Sequence, residues 1–117
     1  MAKFLFVYRN GSNPYANMTP KEVEQHQQKW AAWITEGLQK GWMLDPGDGL
    51  TNEGRVVKTA VITDGPFVES KEIVGGFSIV QADTVEAAAQ LARGCPGLGI
   101  GATVEVRRLG GYTEKYK

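Results

Sequence analysis

The sequence predicts an α+β fold of the ferredoxin-like kind, with the element order β-α-β-β-α-β. Three observations lead to this prediction. Apolar segments with the alternating pattern of strands come first, in the middle and last, and two helical segments lie between them. Each helical segment has its own start and stop signals. We therefore expect a four-stranded antiparallel sheet with both helices on one of its faces.

The first strand is predicted at Lys3–Tyr8, which is apolar on both alternating faces. A strand of this kind is covered on both sides in the folded protein. The first helix follows a loop. Thr19 is its predicted N-cap, Pro20 suits its first position and Glu22 completes a capping box. The helix is expected to end at Lys40, before a capping glycine.

The middle of the chain supplies the second and third predicted strands. Asp45-Pro46-Gly47-Asp48-Gly49 is rich in turn-forming residues and predicts an irregular connection. Arg55–Thr63 then carries the valines and isoleucine of a second strand. The third strand is predicted at Gly75–Ala82, again apolar on both faces.

A second, alanine-rich helix is predicted to start near Asp83 and to run to Arg93. Gly97–Gly101 follows a helix and precedes a strand, so it does not have the context of a phosphate-binding loop. Thr103–Leu109 alternates cleanly and predicts a half-covered or edge strand. The polar tail, residues 110–117, is expected to be partly mobile.

Size, charge and cysteine content limit the class of protein. A length of 117 residues predicts a single domain over 1–117. Thirteen basic and thirteen acidic side chains cancel, which argues against binding to nucleic acid or to an anionic membrane. One cysteine excludes a disulfide within the chain and favours a reducing, cytoplasmic location. No apolar run approaches membrane-spanning length.

The two apolar central strands predict a homodimer. In this topology the first and third strands lie in the middle of the sheet, and the helices cover only one face. A monomer would expose the second face as an apolar patch. Packing of a second subunit against this face, sheet to sheet, would cover it and would enclose a cleft.

One long motif and two shorter segments resemble the DGPF proteins of the YCII-related family. They are Asp64-Gly65-Pro66-Phe67 with Glu69, Lys71-Glu72 and Gly75-Gly76-Phe77, then Gly94-Cys95-Pro96, and Val104-Glu105-Val106-Arg107. The resemblance implies a dimeric α+β barrel with a ferredoxin-like protomer. It also implies a family in which many members have no established activity, some are encoded beside extracytoplasmic-function sigma factors, and one related enzyme is a dehydrochlorinase.

The resemblance further implies a catalytic His–Asp pair. His26 is the single histidine of the chain and lies on the first helix, as in the family. Asp64 begins the motif and is the candidate aspartate. The alternatives stay open: Asp64 can fix a turn through its carboxylate, and His26 beside tryptophans can be a packed, hydrogen-bonded residue. As a base, His26 has the advantage of a near-neutral reference pKa of about 6.5.

Five further residues are candidate ligand contacts: Tyr8, Trp30, Glu69, Lys71 and Arg107. Trp30 forms either part of the core or an aromatic wall. Glu69 and Lys71 belong either to a solvated loop or to an anion-binding and proton-transfer site. Arg107 shares a strand face with Glu105 and forms either a surface salt bridge or part of a dimer cleft.

Other chemistries have little support in the sequence. One histidine and one cysteine do not make a metal-ligand cluster, so no metal or other cofactor is predicted. Cys95 follows the glycine that ends the second helix and is expected to be packed rather than nucleophilic. Two functions remain. The first is a cofactor-independent protein or enzyme that acts on a small polar or aromatic molecule. The alternative is a non-enzymatic regulatory module associated with a sigma factor.

Overall fold

The fold is an α+β sandwich of one antiparallel sheet and two helices, with a separate hairpin. The computed structural model describes residues 1–10, 14–65 and 73–117. Its strands and α-helices, in chain order, are β1 (Ala2–Arg9), α1 (Pro20–Lys40), β2 (Met43–Gly49), β3 (Gly54–Val57), β4 (Ile62–Gly65), β5 (Val74–Ala82), α2 (Val85–Ala92) and β6 (Thr103–Arg108). Two short 3-10 helices lie at Pro96–Ile100 and Glu114–Tyr116.

The main sheet has the strand order β2-β5-β1-β6, and each neighbouring pair is antiparallel. With β2, β5 and β6 taken as the second, third and fourth strands, this is the ferredoxin-like order, and the predicted fold class is confirmed. The two central strands are β1 and β5, as the predicted topology requires. Strand β6 lies at an edge, also as predicted.

The prediction for the second strand was wrong. Strand β2 is Met43–Gly49 and includes the stretch Asp45–Gly49 that was expected to be an irregular connection. Pro46 is tolerated there because β2 is an edge strand, and its pairing with β5 shifts register twice. The segment Arg55–Thr63 instead contributes to β3 and β4, which pair only with each other among the described strands.

Helix α1 begins and ends where its local signals predicted. The Thr19 side chain accepts from the backbone N–H of Glu22, and the Glu22 side chain accepts from the backbone N–H of Thr19. Gly41 adopts the left-handed conformation, with φ 85°, and ends the helix. Helix α2 is capped by Thr84, whose hydroxyl accepts from the N–H of Ala87.

The core lies between the helices and one face of the sheet. Phe4, Phe6 and Val80 are fully buried there, and Trp33 of α1 stacks on Phe6 with 6.4 Å between ring centroids. The opposite sheet face carries half-buried apolar side chains of β1 and β5, and neither α1 nor α2 covers it. No helix among the described residues is long and apolar enough to cross a membrane.

Candidate functional site

A cavity of about 350 Å³ opens between α1 and the sheet. Helix α1 supplies His26 and Trp30 to its wall, and β1 supplies Tyr8. Most of the remaining wall comes from the chain around the ends of β2 and β5 and from the segment before β6. These further lining residues are Asn10, Tyr15, Gln27, Ile34, Pro46, Gly47, Asp48, Gly49, Gly75, Gly76, Phe77, Ser78, Gly97, Ile100 and Ala102.

His26 is a buried residue with one edge on this cavity. Its side chain lies on the inner face of α1, and 6% of the residue is exposed. The indole N–H of Trp30, one helical turn further on, donates to its Nε2 at 2.9 Å. Burial lowers the pKa of His26, and the positive charge of Lys29 lowers it further. The imidazole is therefore held neutral at physiological pH.

The aromatic side chains around His26 form one connected cluster. Tyr8 meets Trp30 edge to face with 4.9 Å between ring centroids, and Tyr15 meets His26 at 5.7 Å. Trp30 also contacts Trp33 of the core at 5.7 Å. The indole of Trp30 is thus packed against other rings on two sides and also lines the cavity, while its role as an aromatic wall for a ligand stays a prediction.

Tyr8 is fixed by a chain of two hydrogen bonds. Its hydroxyl donates to Oγ of Ser78 at 2.9 Å, and Ser78 donates to the carbonyl of Pro46 at 2.7 Å. Burial raises the pKa of Tyr8 far above its usual value, so the phenol stays protonated. This chain ties the wall of the cavity to the irregular part of β2.

Two glycines of the motif, Gly75 and Gly76, give the cavity its shape. A Cβ added at Gly76 would lie 2.8 Å from the backbone oxygen of Asp48, and one added at Gly75 would collide with the side chain of Asn10. The backbone at the entry to β5 therefore requires glycine at both positions. The same close approach leaves the cavity wall without bulky side chains at this point.

Asp64 is placed away from the cavity. It lies in β4 opposite Arg55, and its carboxylate is 3.8 Å from the guanidinium of Arg55. Its side chain is fully exposed and does not line the cavity. The described residues thus do not bring Asp64 to His26 within one chain, and the predicted pair stays a prediction.

The remaining candidates have mixed placements. Arg107 lies on the sheet face away from the helices, is 71% exposed in its side chain and is 3.4 Å from Glu105. It therefore forms a surface ion pair and does not line the cavity. Arg9 approaches Glu105 more closely, at 2.9 Å. Glu69 and Lys71 lie outside the described residues, as does the rest of the motif from 66 to 72.

Several cavity residues were not predicted from the sequence. Ser78 follows the paired glycines on β5, and nothing in its sequence context marks it as a hydrogen-bonding group of the core. Asp48 was assigned to a turn, yet it is the one lining residue with a carboxylate among the described part of the chain. A prediction of β2 as a strand beside β5 would have placed Ser78 and Asp48 near the cavity.

The position of Cys95 agrees with its predicted structural role. The thiol is free and 4% of the residue is exposed. Burial raises the pKa of Cys95 to about 11, so little of it is thiolate at neutral pH. No group of three or more histidine, cysteine or acidic side chains suited to a metal ion occurs within the described ranges.

Comparisons with known proteins point to one family. The model of the YCII-related domain matches residues 15–109. A structure of 5-chloro-2-hydroxyhydroquinone dehydrochlorinase from Burkholderia phenoliruptrix AC1100, in complex with 2,5-dihydroxybenzoquinone, superposes with a TM-score of 0.48. The two chains share 16% sequence identity, and 92% of each is covered. A search of curated proteins finds no significant match.

Proposed function

Because the chain belongs to the YCII-related domain family, we propose that it is a small-molecule-binding protein with activity centred on His26. The observation that carries this proposal is the buried imidazole at the edge of a cavity of about 350 Å³. Cavities of this size hold small organic ligands, and a few polar groups in a mostly apolar wall orient them.

The cavity wall favours a flat and largely apolar ligand. Tyr8, Tyr15 and Trp30 present ring surfaces, on which an aromatic molecule can pack. No lysine or arginine lines the cavity among the described residues. A ligand whose binding depends on a carboxylate or phosphate would lack a cationic partner there, so we propose an aromatic ligand with hydroxyl or carbonyl groups.

The catalytic role that we propose for His26 is in proton transfer or in the stabilisation of charge on the ligand. Asp64 of the same chain does not line the cavity, since its carboxylate faces solvent beside Arg55. Asp64 can therefore take part in catalysis only if it reaches the cavity from another chain. A partner subunit is one source of such a group. The assignments of Glu69, Lys71 and Arg107 as ligand contacts are kept as predictions.

Ligand binding and turnover by a His26→Ala protein test this function. A library of hydroxylated aromatic compounds would be screened by thermal shift against the wild-type protein. We expect His26→Ala to keep its circular dichroism spectrum and to lose turnover of any compound that proves to be a substrate. Gln28→Ala, at an exposed position of the same helix, is the control. Unchanged turnover in His26→Ala would remove His26 from the mechanism.

We also propose a homodimer formed through the sheet face that the helices leave uncovered. Leu5 and Val7 of β1 lie there, half-buried, beside Phe77 and Ile79 of β5. A lysine at Val7 would be buried in such an interface, so Val7→Lys should sediment as a monomer. Gln90→Lys, on exposed α2 surface, should remain dimeric. A wild-type protein that is monomeric at all concentrations would contradict the proposal.

The alternative function, a regulatory module associated with a sigma factor, has one supporting observation. Val57 and Ile62 of the separate hairpin are 72% and 66% exposed, which offers an apolar contact surface. The purified protein would be mixed with an extracytoplasmic-function sigma factor from the same organism and run by gel filtration. Separate elution would count against this function. A cytoplasmic location also remains a prediction, to be tested by cell fractionation.

A further inference from the structure

The hydrogen bond between Trp30 and His26 decides which ring nitrogen of His26 carries its proton. The two side chains are four residues apart on α1 and lie on the same helix face. An indole nitrogen can only donate a hydrogen bond. Since Trp30 Nε1 lies 2.9 Å from His26 Nε2, the Nε2 atom must be the acceptor and carries no proton.

The proton of the neutral imidazole therefore lies on Nδ1. If Nε2 were protonated as well, its N–H would point at the indole N–H of Trp30, and the hydrogen bond from Trp30 would be lost. The contacts of Trp30 with Tyr8 and Trp33 hold the indole in place, so it cannot readily turn away. The local packing thus selects one tautomer.

The Nδ1–H group of His26 is available to a ligand. Every buried side-chain nitrogen or oxygen in the described part of the chain has a hydrogen-bond partner. The bond from Trp30 occupies Nε2, and no described residue bonds to Nδ1. Nδ1 is therefore on the small part of the residue that remains accessible, and His26 is one of the residues that line the cavity.

We propose that Trp30 is a positioning residue that holds His26 as the Nδ1–H tautomer, so that His26 donates a hydrogen bond to a carbonyl or phenolate oxygen of the ligand. This inference rests on the proposed function and narrows it. With Nε2 occupied and Nδ1 protonated, His26 stabilises negative charge on the ligand and does not remove a proton from it. A neutral imidazole in this role suits a cavity whose described wall has no cationic side chain.

The tautomer can be measured without a ligand. His26 is the only histidine among 117 residues, so a protein labelled with ¹⁵N-histidine gives the signals of a single ring. Long-range ¹H–¹⁵N correlation spectra should identify Nδ1 as the protonated nitrogen. Trp30→Phe keeps a ring but lacks the N–H, and should move the population towards the Nε2–H form. Trp42→Phe, which removes an indole that does not bond to His26, should leave the tautomer unchanged.

Two results would overturn the positioning role. One is a wild-type His26 that is protonated at Nε2, and this measurement does not depend on the folding of any variant. The other is a folded Trp30→Phe protein with the wild-type tautomer.

The donor role can be tested with a pair of amide substitutions. The side-chain amide of asparagine can place an N–H close to the position of Nδ1, whereas that of glutamine reaches the position of Nε2. With p-nitrophenolate as the probe, His26→Asn should bind within about threefold of wild type. His26→Gln should bind at least about tenfold more weakly, the effect of losing one hydrogen bond to a charged group. Nitrobenzene, which lacks the phenolate oxygen, should bind all three proteins alike.

The outcomes separate this inference from the proposed function. Stronger binding of p-nitrophenolate to His26→Gln than to His26→Asn would overturn the donor role. Failure of both probes to bind the wild-type protein would contradict the proposed cavity function and the donor role together. The tautomer measurement would then still decide the role of Trp30 on its own.

Discussion

Replacement of Ser78 by alanine should lower the free energy of unfolding, because one buried hydroxyl serves two hydrogen bonds. Ser78 is fully buried, accepts from Tyr8 at 2.9 Å and donates to the carbonyl of Pro46 at 2.7 Å. A hydrogen bond within a folded protein contributes about 1 kcal/mol net. Loss of both bonds should therefore cost about 2 kcal/mol.

A double-mutant cycle separates the two bonds. Tyr8→Phe removes only the first of them and should cost about 1 kcal/mol. In a protein that already lacks the Ser78 hydroxyl, the same change should cost almost nothing. The resulting coupling of about 1 kcal/mol exceeds the scatter of roughly 0.3–0.5 kcal/mol that is found for independent sites.

Urea denaturation measures these quantities. For a small domain the free energy of unfolding falls by about 1–3 kcal/mol per molar urea, so Ser78→Ala should move the midpoint by roughly 1 M. Tyr112→Phe is the control, since Tyr112 is 84% exposed. An unchanged midpoint in Ser78→Ala, or additive costs of the changes at Tyr8 and Ser78, would refute the reasoning.

Three further predictions concern pH, backbone space and the thiol. Burial lowers the pKa of His26 in the folded protein, so the unfolded chain binds the proton more readily. The free energy of unfolding should therefore fall as the pH drops below about 6.5 and level off below the folded pKa. The His26→Asn protein should not show this loss of stability at low pH. An equal loss would contradict its assignment to His26. Gly76→Ala should have a lower melting temperature than wild type, because its Cβ would lie 2.8 Å from the carbonyl oxygen of Asp48. Gly99→Ala is the control and should melt like wild type, since a Cβ at Gly99 has no atom within 4 Å. Equal melting temperatures for the two variants would contradict the prediction. Cys95, with its pKa raised to about 11, should react with iodoacetamide only on unfolding, and rapid alkylation of the native protein would disprove it.

The features predicted most accurately from the sequence are those that depend on residues close together in the chain. Thr19, Glu22 and Gly41 bound α1 through contacts with their own chain neighbours, and all three were identified. The central position of β1 and β5 also followed from the sequence. It follows from the predicted β-α-β-β-α-β order, in which the first and third strands lie in the middle of the sheet.

The second strand could not be predicted from its own residues, because its strand conformation depends on pairing with β5. Met43–Gly49 contains the proline, glycines and aspartates of a turn, and it forms a strand only through irregular pairing with β5. The valines and isoleucine of Arg55–Thr63 have strong strand propensity. A local hairpin satisfies that propensity as well as a strand of the main sheet does. The order of the segments along the chain does not distinguish these two arrangements.

The candidate site was predicted in part. His26, Tyr8 and Trp30 do share one cavity wall. The contacts of Tyr8 with Ser78 and with Gly76 of β5 depend on sheet register, which no local pattern predicted. Asp64 was chosen by motif position alone, and the structure places its side chain in solvent beside Arg55.

The pairing of β1 also has a consequence for synthesis and folding. Phe4 of β1 pairs with Val80 on one side and with Arg108 on the other, both far along the chain. On the ribosome, the first apolar strand therefore emerges long before either neighbour exists. Sheets closed by such distant segments form slowly because the entropy of loop closure is lost before the contacts are made, whereas α1 can form early from local contacts. The nascent chain thus carries β1 as an unpaired apolar strand until β5 has been translated, and in that interval β1 is a binding segment for a ribosome-associated chaperone.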